Sequence, residues 1–239
     1  MPVTASGPAA SHEPRSVRQA LARTARTSIA GRRRLLAVVA CGMASPALAA
    51  SQRVMASMTE GPFYPPARWR AQWSDWDADL TRVANAGPAA SAKGEHLALL
   101  LQVVDTTGRR IDGAEIEIWQ CDALAAYRHP SVRPKVGAWD PAFQGFGSAR
   151  ASSAGEARFR TIRPVPYPGR TPHIHVRLRH PTFGEWTSQL FVAGDPGNAR
   201  DFLWRQLDAG EQATLAMQLD PADGDGLRWS CRHALVVPA

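Results

Sequence analysis

Polar and apolar residues alternate with a period of two through most of the regular stretches of this chain, and the helical period is nearly absent. His96-Leu97-Ala98-Leu99-Leu100-Leu101-Gln102-Val103-Val104-Asp105 is a strong strand pattern, closed by Thr106-Thr107-Gly108. Gly113-Ala114-Glu115-Ile116-Glu117-Ile118-Trp119-Gln120 alternates cleanly, as a strand with one buried face does. Further strands are predicted over Gly155–Thr161, His173–Arg179, Trp186–Val192 and Arg228–Val237. One helix is predicted over Asn198–Leu207, with Asn198 as N-cap and Phe202, Leu203 and Leu207 on one side. Asp122–Phe146, with Tyr127, three prolines and Trp139, has no period and reads as a long functional loop. Thr59–Pro66 is rigid and extended, and Arg68–Ala92 is Trp-rich and then loop-like. Many short strands, frequent turns and little helix predict an all-β fold: a two-sheet β-sandwich with long active-site loops and one or two short helices. The expected organisation is a leader over 1–50, an extended arm over 51–95 and the sandwich over 96–239, without internal repeats.

The stretch with most chemistry is Tyr167-Pro168-Gly169-Arg170-Thr171-Pro172-His173-Ile174-His175-Val176. In a strand, His173 and His175 project from the same face, where two imidazoles can share one metal ion. The turn formers before them can bring Tyr167 to the same point. Two nitrogens and a phenolic oxygen suit a ferric ion, because phenolate is a hard anionic ligand. An H-x-H pair alone also fits zinc, copper or two hydrogen-bonded histidines. A lone tyrosine is equally a packing residue with a wet hydroxyl.

The formal charge of +7 is unevenly placed. Residues 1–50 hold seven arginines against Glu13, a net +6, so the remaining 21 basic and 20 acidic residues give +1. The basic excess belongs to the leader, and no nucleic-acid partner is implied. Within it, Gly31-Arg32-Arg33-Arg34-Leu35-Leu36 precedes a short apolar run and the small residues Ala47-Leu48-Ala49. That is an export-signal pattern with a cut after Ala49, and the run from Leu35 to Ala50 is too short for a membrane span. The arginines followed by two leucines resemble a twin-arginine signal, implying a periplasmic or secreted protein. A general secretory signal, a lipoprotein anchor at Cys41 and a basic cytoplasmic tail are the alternatives. In an oxidising compartment, Cys121 and Cys231 are candidates for one bridge, and Cys121 equally suits a buried apolar role.

Four blocks in order carry a resemblance: Thr59-Glu60-Gly61-Pro62-Phe63-Tyr64-Pro65; Gly113 to Asp122 running on to Tyr127; Tyr167 with Arg170-Thr171-Pro172-His173-Ile174-His175; and Ser188-Gln189-Leu190-Phe191 with Gly194-Asp195-Pro196. Together they resemble the intradiol ring-cleavage dioxygenases, protocatechuate 3,4-dioxygenase chains most of all, over about residues 58–239. The resemblance implies non-haem Fe(III) held by Tyr127, Tyr167, His173 and His175, two phenolates offsetting two of the three positive charges. It implies a small aromatic diol and O₂ as reactants and a cis,cis-muconate-type dicarboxylate as product. By the same resemblance Tyr167 is the phenolate that leaves the metal and takes a substrate proton. Arg170 stabilises the anionic ring, Gln189 sits near the iron, and Gly61, Pro62 and Phe63 line the substrate pocket. A homo-oligomer is compatible with this reading.

The chain departs from the family pattern in one spacing, the six residues from Tyr167 to His173 being fewer than in the best-known members, and at two residues. Ala125 stands where a glycine usually precedes the first tyrosine by two residues, and Gly169 stands where an aromatic often follows the Tyr-Pro pair. Both changes are expected to reshape the mouth of the pocket while leaving the ligands in place. A competing reading is a catechol- or iron-binding sandwich without turnover; another is a zinc hydrolase using the H-x-H pair.

Overall fold

The computed structural model describes residues 51–239 apart from 74, 85–86, 88–89 and 132–138. The proposed leader with Cys41, and the middle of the long loop, therefore lie outside the described residues. The described chain is an all-β sandwich. Its strands are β1 (His96–Asp105), β2 (Glu115–Trp119), β3 (Phe146–Arg150), β4 (Glu156–Ile162), β5 (His173–His180), β6 (Gly184–Val192), β7 (Ala216–Met217), β8 (Asp220–Pro221) and β9 (Leu227–Val237). One sheet runs β4-β1-β9-β8 and the other β3-β2-β5-β6-β7. Pairing is antiparallel except for β1 with β9 and β6 with β7.

The alternation seen in the sequence is what joins the sheets. Leu97, Leu99, Leu101 and Val103 of β1 pack with Ile116 and Ile118 of β2, Ile174, Val176 and Leu178 of β5, and Leu190 of β6 in one buried core. Each such side chain contributes roughly 1.5–3 kcal/mol by leaving water. Glu117 of β2, His173, His175 and Arg177 of β5 and Gln189 of β6 consequently face the other side of the second sheet, which becomes the site-bearing surface.

Residues 51–95 are tied to both sheets. Met55 donates its N–H to the Val236 carbonyl at 2.8 Å and Met58 to the Thr187 carbonyl at 2.9 Å, and Leu80 to the Arg160 carbonyl at 2.8 Å. Gly147 of β3 is required where this segment crosses, because a Cβ there would lie 2.5 Å from the Asp77 carbonyl oxygen. A single helical turn, α1 (Ala67–Arg70), follows Pro66.

Three expectations need correction. The helix over Asn198–Leu207 is two 3₁₀ turns, Asn198–Arg200 and Trp204–Gln206, separated at the extended residue Asp201. Asn198 is no cap: its buried amide donates to the Val192 carbonyl at 2.9 Å and accepts from the Thr171 hydroxyl at 2.9 Å. Among the described residues the longest helix is instead α2 (Ala209–Leu215), opened by a reciprocal capping box between Asp208 and Glu211. Finally, Cys121 and Cys231 are both free, buried thiols, not a bridge. Cys231 sits in the inter-sheet core, and Cys121 packs beside Trp119 and Tyr127. Burial pushes the two thiols up to about 12 and about 11 respectively, which suppresses the reactive thiolate. Neither should alkylate in the folded protein at neutral pH, and added reductant should leave the melting temperature unchanged; a downward shift with reductant would indicate a bridge.

A candidate metal centre on the outer face of the second sheet

Register, not sequence proximity, assembles the centre. On the face turned away from the core, Trp119 of β2 lies opposite His175 of β5, which lies opposite Gln189 of β6. His173, two residues earlier, lies opposite Phe191. The Trp119 indole stacks on the His175 imidazole at 4.8 Å with 9° between planes, which fixes that ring. The His173 ring is oriented through its other nitrogen, Nδ1–H donating to the Thr171 carbonyl at 2.7 Å. Both Nε2 atoms then face one point, 3.2 Å apart. That is the separation of two donors at about 2.1 Å from one cation, bound at neighbouring corners.

Two loops bring phenols to the same point. Asp122, buried at the end of β2, accepts the N–H groups of Leu124 and Ala126 on Oδ1 at 2.8 and 2.9 Å, and that of Asp140 on Oδ2 at 2.6 Å. This turn carries Ala125 at φ +61° and delivers Tyr127, whose hydroxyl is buried and has no hydrogen-bond partner. The other phenol, Tyr167, opens a tight turn closed by Arg170. Its ring is edge-on to Tyr127 at 5.7 Å and tilted on His173 at 5.5 Å. The two phenols perturb each other's ionisation without meeting ordinary hydrogen-bond geometry.

The pocket segment is placed less uniformly. Phe63 stacks on Tyr127 at 4.4 Å and 18°. Gly61 lies against the histidine: an added Cβ would sit 3.3 Å from His175 Cε1. Pro62, between them, is exposed. The third tyrosine, Tyr64, is not part of the donor set, because its hydroxyl donates to the buried carboxylate of Glu117 at 2.8 Å. Burial and that carboxylate hold it neutral, pushed up to about 12. His96 and His180 are engaged with the Ala92 carbonyl and the Thr182 N–H, away from the centre. His129 is bonded to Ser131 at 2.7 Å and lies edge-on to Phe63.

Electrostatics fit a cation. Burial, with the Arg170 guanidinium acting in the same direction, lowers His173 to about 4, and burial, His173 and Arg170 lower His175 further below the imidazole range. Both imidazoles are therefore neutral donors at pH 7. Burial, and then the Tyr167 phenol, raises Tyr127 well above the ordinary range; burial also raises Tyr167, with Arg170 opposing. A cation held at the meeting point by these residues would reverse that last effect and favour the phenolates, their protons being released to solvent. Among the described residues, no group of three His, Cys, Asp or Glu is placed to hold a metal, and the side-chain oxygens nearest the two imidazoles belong to phenols. The orphaned Tyr127 hydroxyl and the facing imidazoles fit such a mixed donor set.

Arg170 is not the surface ion pair an isolated arginine suggests. Its Nε donates to Asp201 at 2.8 Å, one terminal nitrogen donates to Gln189 Oε1 at 2.5 Å, and the other lies 3.5 Å from the Tyr167 oxygen. Next to it a cleft of about 260 Å³, bordered by Tyr167, Gly169, Arg170, Pro196 and Arg200, opens to solvent. Gly169 has φ +83° and nothing within 4 Å of an added Cβ, so the departure from the family pattern leaves that wall open.

The family model described as Dioxygenase matches residues 59–230. The chain belongs to the intradiol ring-cleavage dioxygenase family. The protocatechuate 3,4-dioxygenase beta chain of Burkholderia cepacia is 34% identical over 133 residues, covering 52% of this chain and 55% of that one. The alpha chain from the same organism is 32% identical over 144 residues, covering 57% and 70%. A hydroxyquinol 1,2-dioxygenase of Corynebacterium glutamicum is 29% identical over 126 residues, covering 45% and 40%. The match thus spans about half the length of the first of these relatives and less of the last. The fold is shared with the dioxygenase domain of a dioxygenase–carbohydrate-binding fusion from Streptomyces sp. SirexAA-E, at TM-score 0.58 and 24% identity, over 78% of this chain and 99% of that one.

Within this intradiol dioxygenase chain, three positioning features escaped the sequence reading. Trp119 could have been found by counting register from His175. Asp122 lay inside a quoted motif, and its role as the anchor of the Tyr127 turn shows only in three dimensions. Asp201 had no local signal. The strained turn gives a direct test. A non-glycine residue in the left-handed region costs roughly 1–2 kcal/mol, partly offset by glycine's greater unfolded-state entropy. Ala125→Gly should therefore stabilise the protein by about 0.5–1 kcal/mol, raising the melting temperature by roughly 2–3 °C; thermal unfolding monitored by circular dichroism reads it.

Proposed function

We propose that this protein is a ferric intradiol dioxygenase that cleaves an aromatic diol between its two hydroxyl-bearing carbons with O₂, giving a cis,cis-muconate-type dicarboxylate. The observation that carries this reading is the convergence of two neutral imidazole nitrogens, 3.2 Å apart, with two buried phenols at the outer face of one sheet. Tyr127, Tyr167, His173 and His175 would hold the iron. When bound, Fe(III) supplies Lewis acidity toward the diol oxygens and withdraws electron density from the ring.

The protein's part is binding, orientation and proton transfer. Tyr127 is buried beneath Phe63, and both histidines are locked by Trp119 and Thr171, so these three donors keep their places. Tyr167 is only partly buried and borders the open cleft, which suits it to move. Its phenolate oxygen accepts one of the two diol protons, and hydroxide from solvent takes the other and leaves as water. The Arg170 guanidinium beside that oxygen stabilises negative charge on the ring as it develops. Gly61 leaves room over His175, and the Phe63 ring walls the pocket. Gln189 holds Arg170 from the other side.

The iron-binding protein without turnover remains the second reading, and the left-handed Ala125 two residues before Tyr127 is the observation that favours it. We further propose that residues 1–50 form a twin-arginine-type export signal and that the mature protein works outside the cytoplasm, where homo-oligomerisation is open. Among the described residues no helix is long and apolar enough to cross a membrane.

Purified protein should contain iron and show a broad visible tyrosinate-to-iron band, and it should consume O₂ with a catechol. Colour without O₂ consumption supports the second reading, and colourless zinc protein overturns both. Tyr167→Phe should keep iron and lose turnover by roughly a hundredfold or more, the scale of a positioned proton acceptor, whereas His175→Ala should lose the iron. Normal turnover by Tyr167→Phe would remove the mobile-phenolate assignment.

A further inference from the structure

The backbone break at Asp201 coincides with a saturated buried carboxylate. Its side chain is 0% exposed and pairs with Arg170, itself 9% exposed. Oδ2 accepts from Arg170 Nε at 2.8 Å and from the Thr171 N–H at 2.9 Å. Oδ1 accepts from the Leu203 and Trp204 N–H groups at 2.9 and 3.1 Å. Burial pushes the carboxyl up, but the Thr171 N–H, Arg170 and the Trp204 N–H outweigh it, and the net shift is downward. The group is a permanent anion at neutral pH.

Two separate parts of the centre hang on Oδ2. A guanidinium is planar, and here two of its corners are tied, one to Asp201 and one to Gln189 Oε1 at 2.5 Å. Gln189 is in turn held by the Thr59 carbonyl at 3.0 Å. The third nitrogen has no rotational freedom left and points at the Tyr167 oxygen. The second dependant is the backbone of Thr171. Its N–H is bound by Asp201, and its carbonyl accepts Nδ1–H of His173 at 2.7 Å. That bond fixes the tautomer with the Nε2 lone pair turned toward the centre.

We propose that Asp201 is the positioning residue of the centre. One carboxylate oxygen holds the Arg170 guanidinium in plane against Tyr167 and holds the backbone N–H of Thr171, the residue whose carbonyl orients His173. The kinetic consequence rests on the proposed ring cleavage; the geometric consequence does not. Arg170 acts on charge that develops during reaction, so loss of its positioning lowers kcat and leaves KM nearly unchanged.

The test uses Asp201→Ala and Asp201→Asn in the full chain. In metal-free protein, phenylglyoxal labelling of Arg170, read by peptide mass spectrometry, should be slow in the wild type and at least roughly tenfold faster in Asp201→Ala, with added formate restoring protection through the vacated carboxylate position. In iron-loaded protein, kcat should fall roughly tenfold to hundredfold in both variants, with KM within about threefold, and formate should recover turnover in Asp201→Ala only. Arg170 that stays protected in Asp201→Ala, a change confined to KM, or indifference to formate would each overturn the proposal. If both variants fail to fold, Asp201→Glu, which keeps the charge but displaces it by one methylene, must speed labelling and lower kcat; wild-type values on both counts overturn the proposal. A wild type that cleaves no diol would defeat the proposed function, while the labelling arm would still decide the role of Asp201.

Discussion

The cross-strand register of β2, β5 and β6 is the constraint on which the rest depends. It sets Trp119, His175 and Gln189 in one row on the outer face, with His173 and Phe191 in the next. A slip of one residue would turn both histidines into the inter-sheet core and bring Ile174 and Val176 out. The same alternation that buries Ile174, Val176 and Leu178 therefore aims His173 and His175 at the outer face. Core packing and site construction are one decision in this fold.

Rows further along the same face show how that surface is kept dry. Glu117 is buried, yet it accepts from Tyr64 at 2.8 Å, Arg70 at 3.1 Å and Arg179 at 2.7 Å. Two of these donors come from the arm at residues 59–70, so the carboxylate pins the arm over the sheet. Such a buried network is a poor source of net stability, because desolvation offsets attraction, but it admits one arrangement of the chain. Asp122 does the same for the Tyr127 loop and Asp201 for the Arg170 turn. These segments around the centre are each held by a buried carboxylate whose acceptors are filled by backbone N–H groups, by arginine or, at Glu117, also by a tyrosine hydroxyl. Loops so tied can carry donors with the precision of strands.

The strands that were legible in the sequence are those with strong apolar alternation or continuous apolar runs, β1, β2, β4, β5, β6 and β9. β3 was not, because Phe146-Gly147-Ser148-Ala149-Arg150 has no such pattern; its strand conformation follows from pairing with β2 and from the close crossing of the chain at Gly147. The predicted helix over 198–207 failed for a comparable reason. Its apolar spacing is helical, but Asp201 must extend to serve Arg170 and Thr171, and a buried ion pair outweighs local propensity. The capping box of α2 is legible in the spacing of Asp208 and Glu211. Among the site residues, the histidines and tyrosines were recoverable from motif and chemistry, whereas partners such as Trp119, on another strand from His175, and Asp201, 31 residues from Arg170, carry no local signal of their role.

By itself the sequence determined which side chains can act. Period-two patterning specified strands, the H-x-H spacing put two imidazoles on one face, and the scarcity of tyrosines narrowed the phenolic donors, because these properties are local to the backbone and to residue chemistry. Only the tertiary structure decided which of those side chains meet. The convergence of Tyr127 and Tyr167 on the histidines, the exclusion of Tyr64 by its bond to Glu117, and the clamp of Asp201 on Arg170 all depend on long-range pairing between segments whose patterns carry no information about one another.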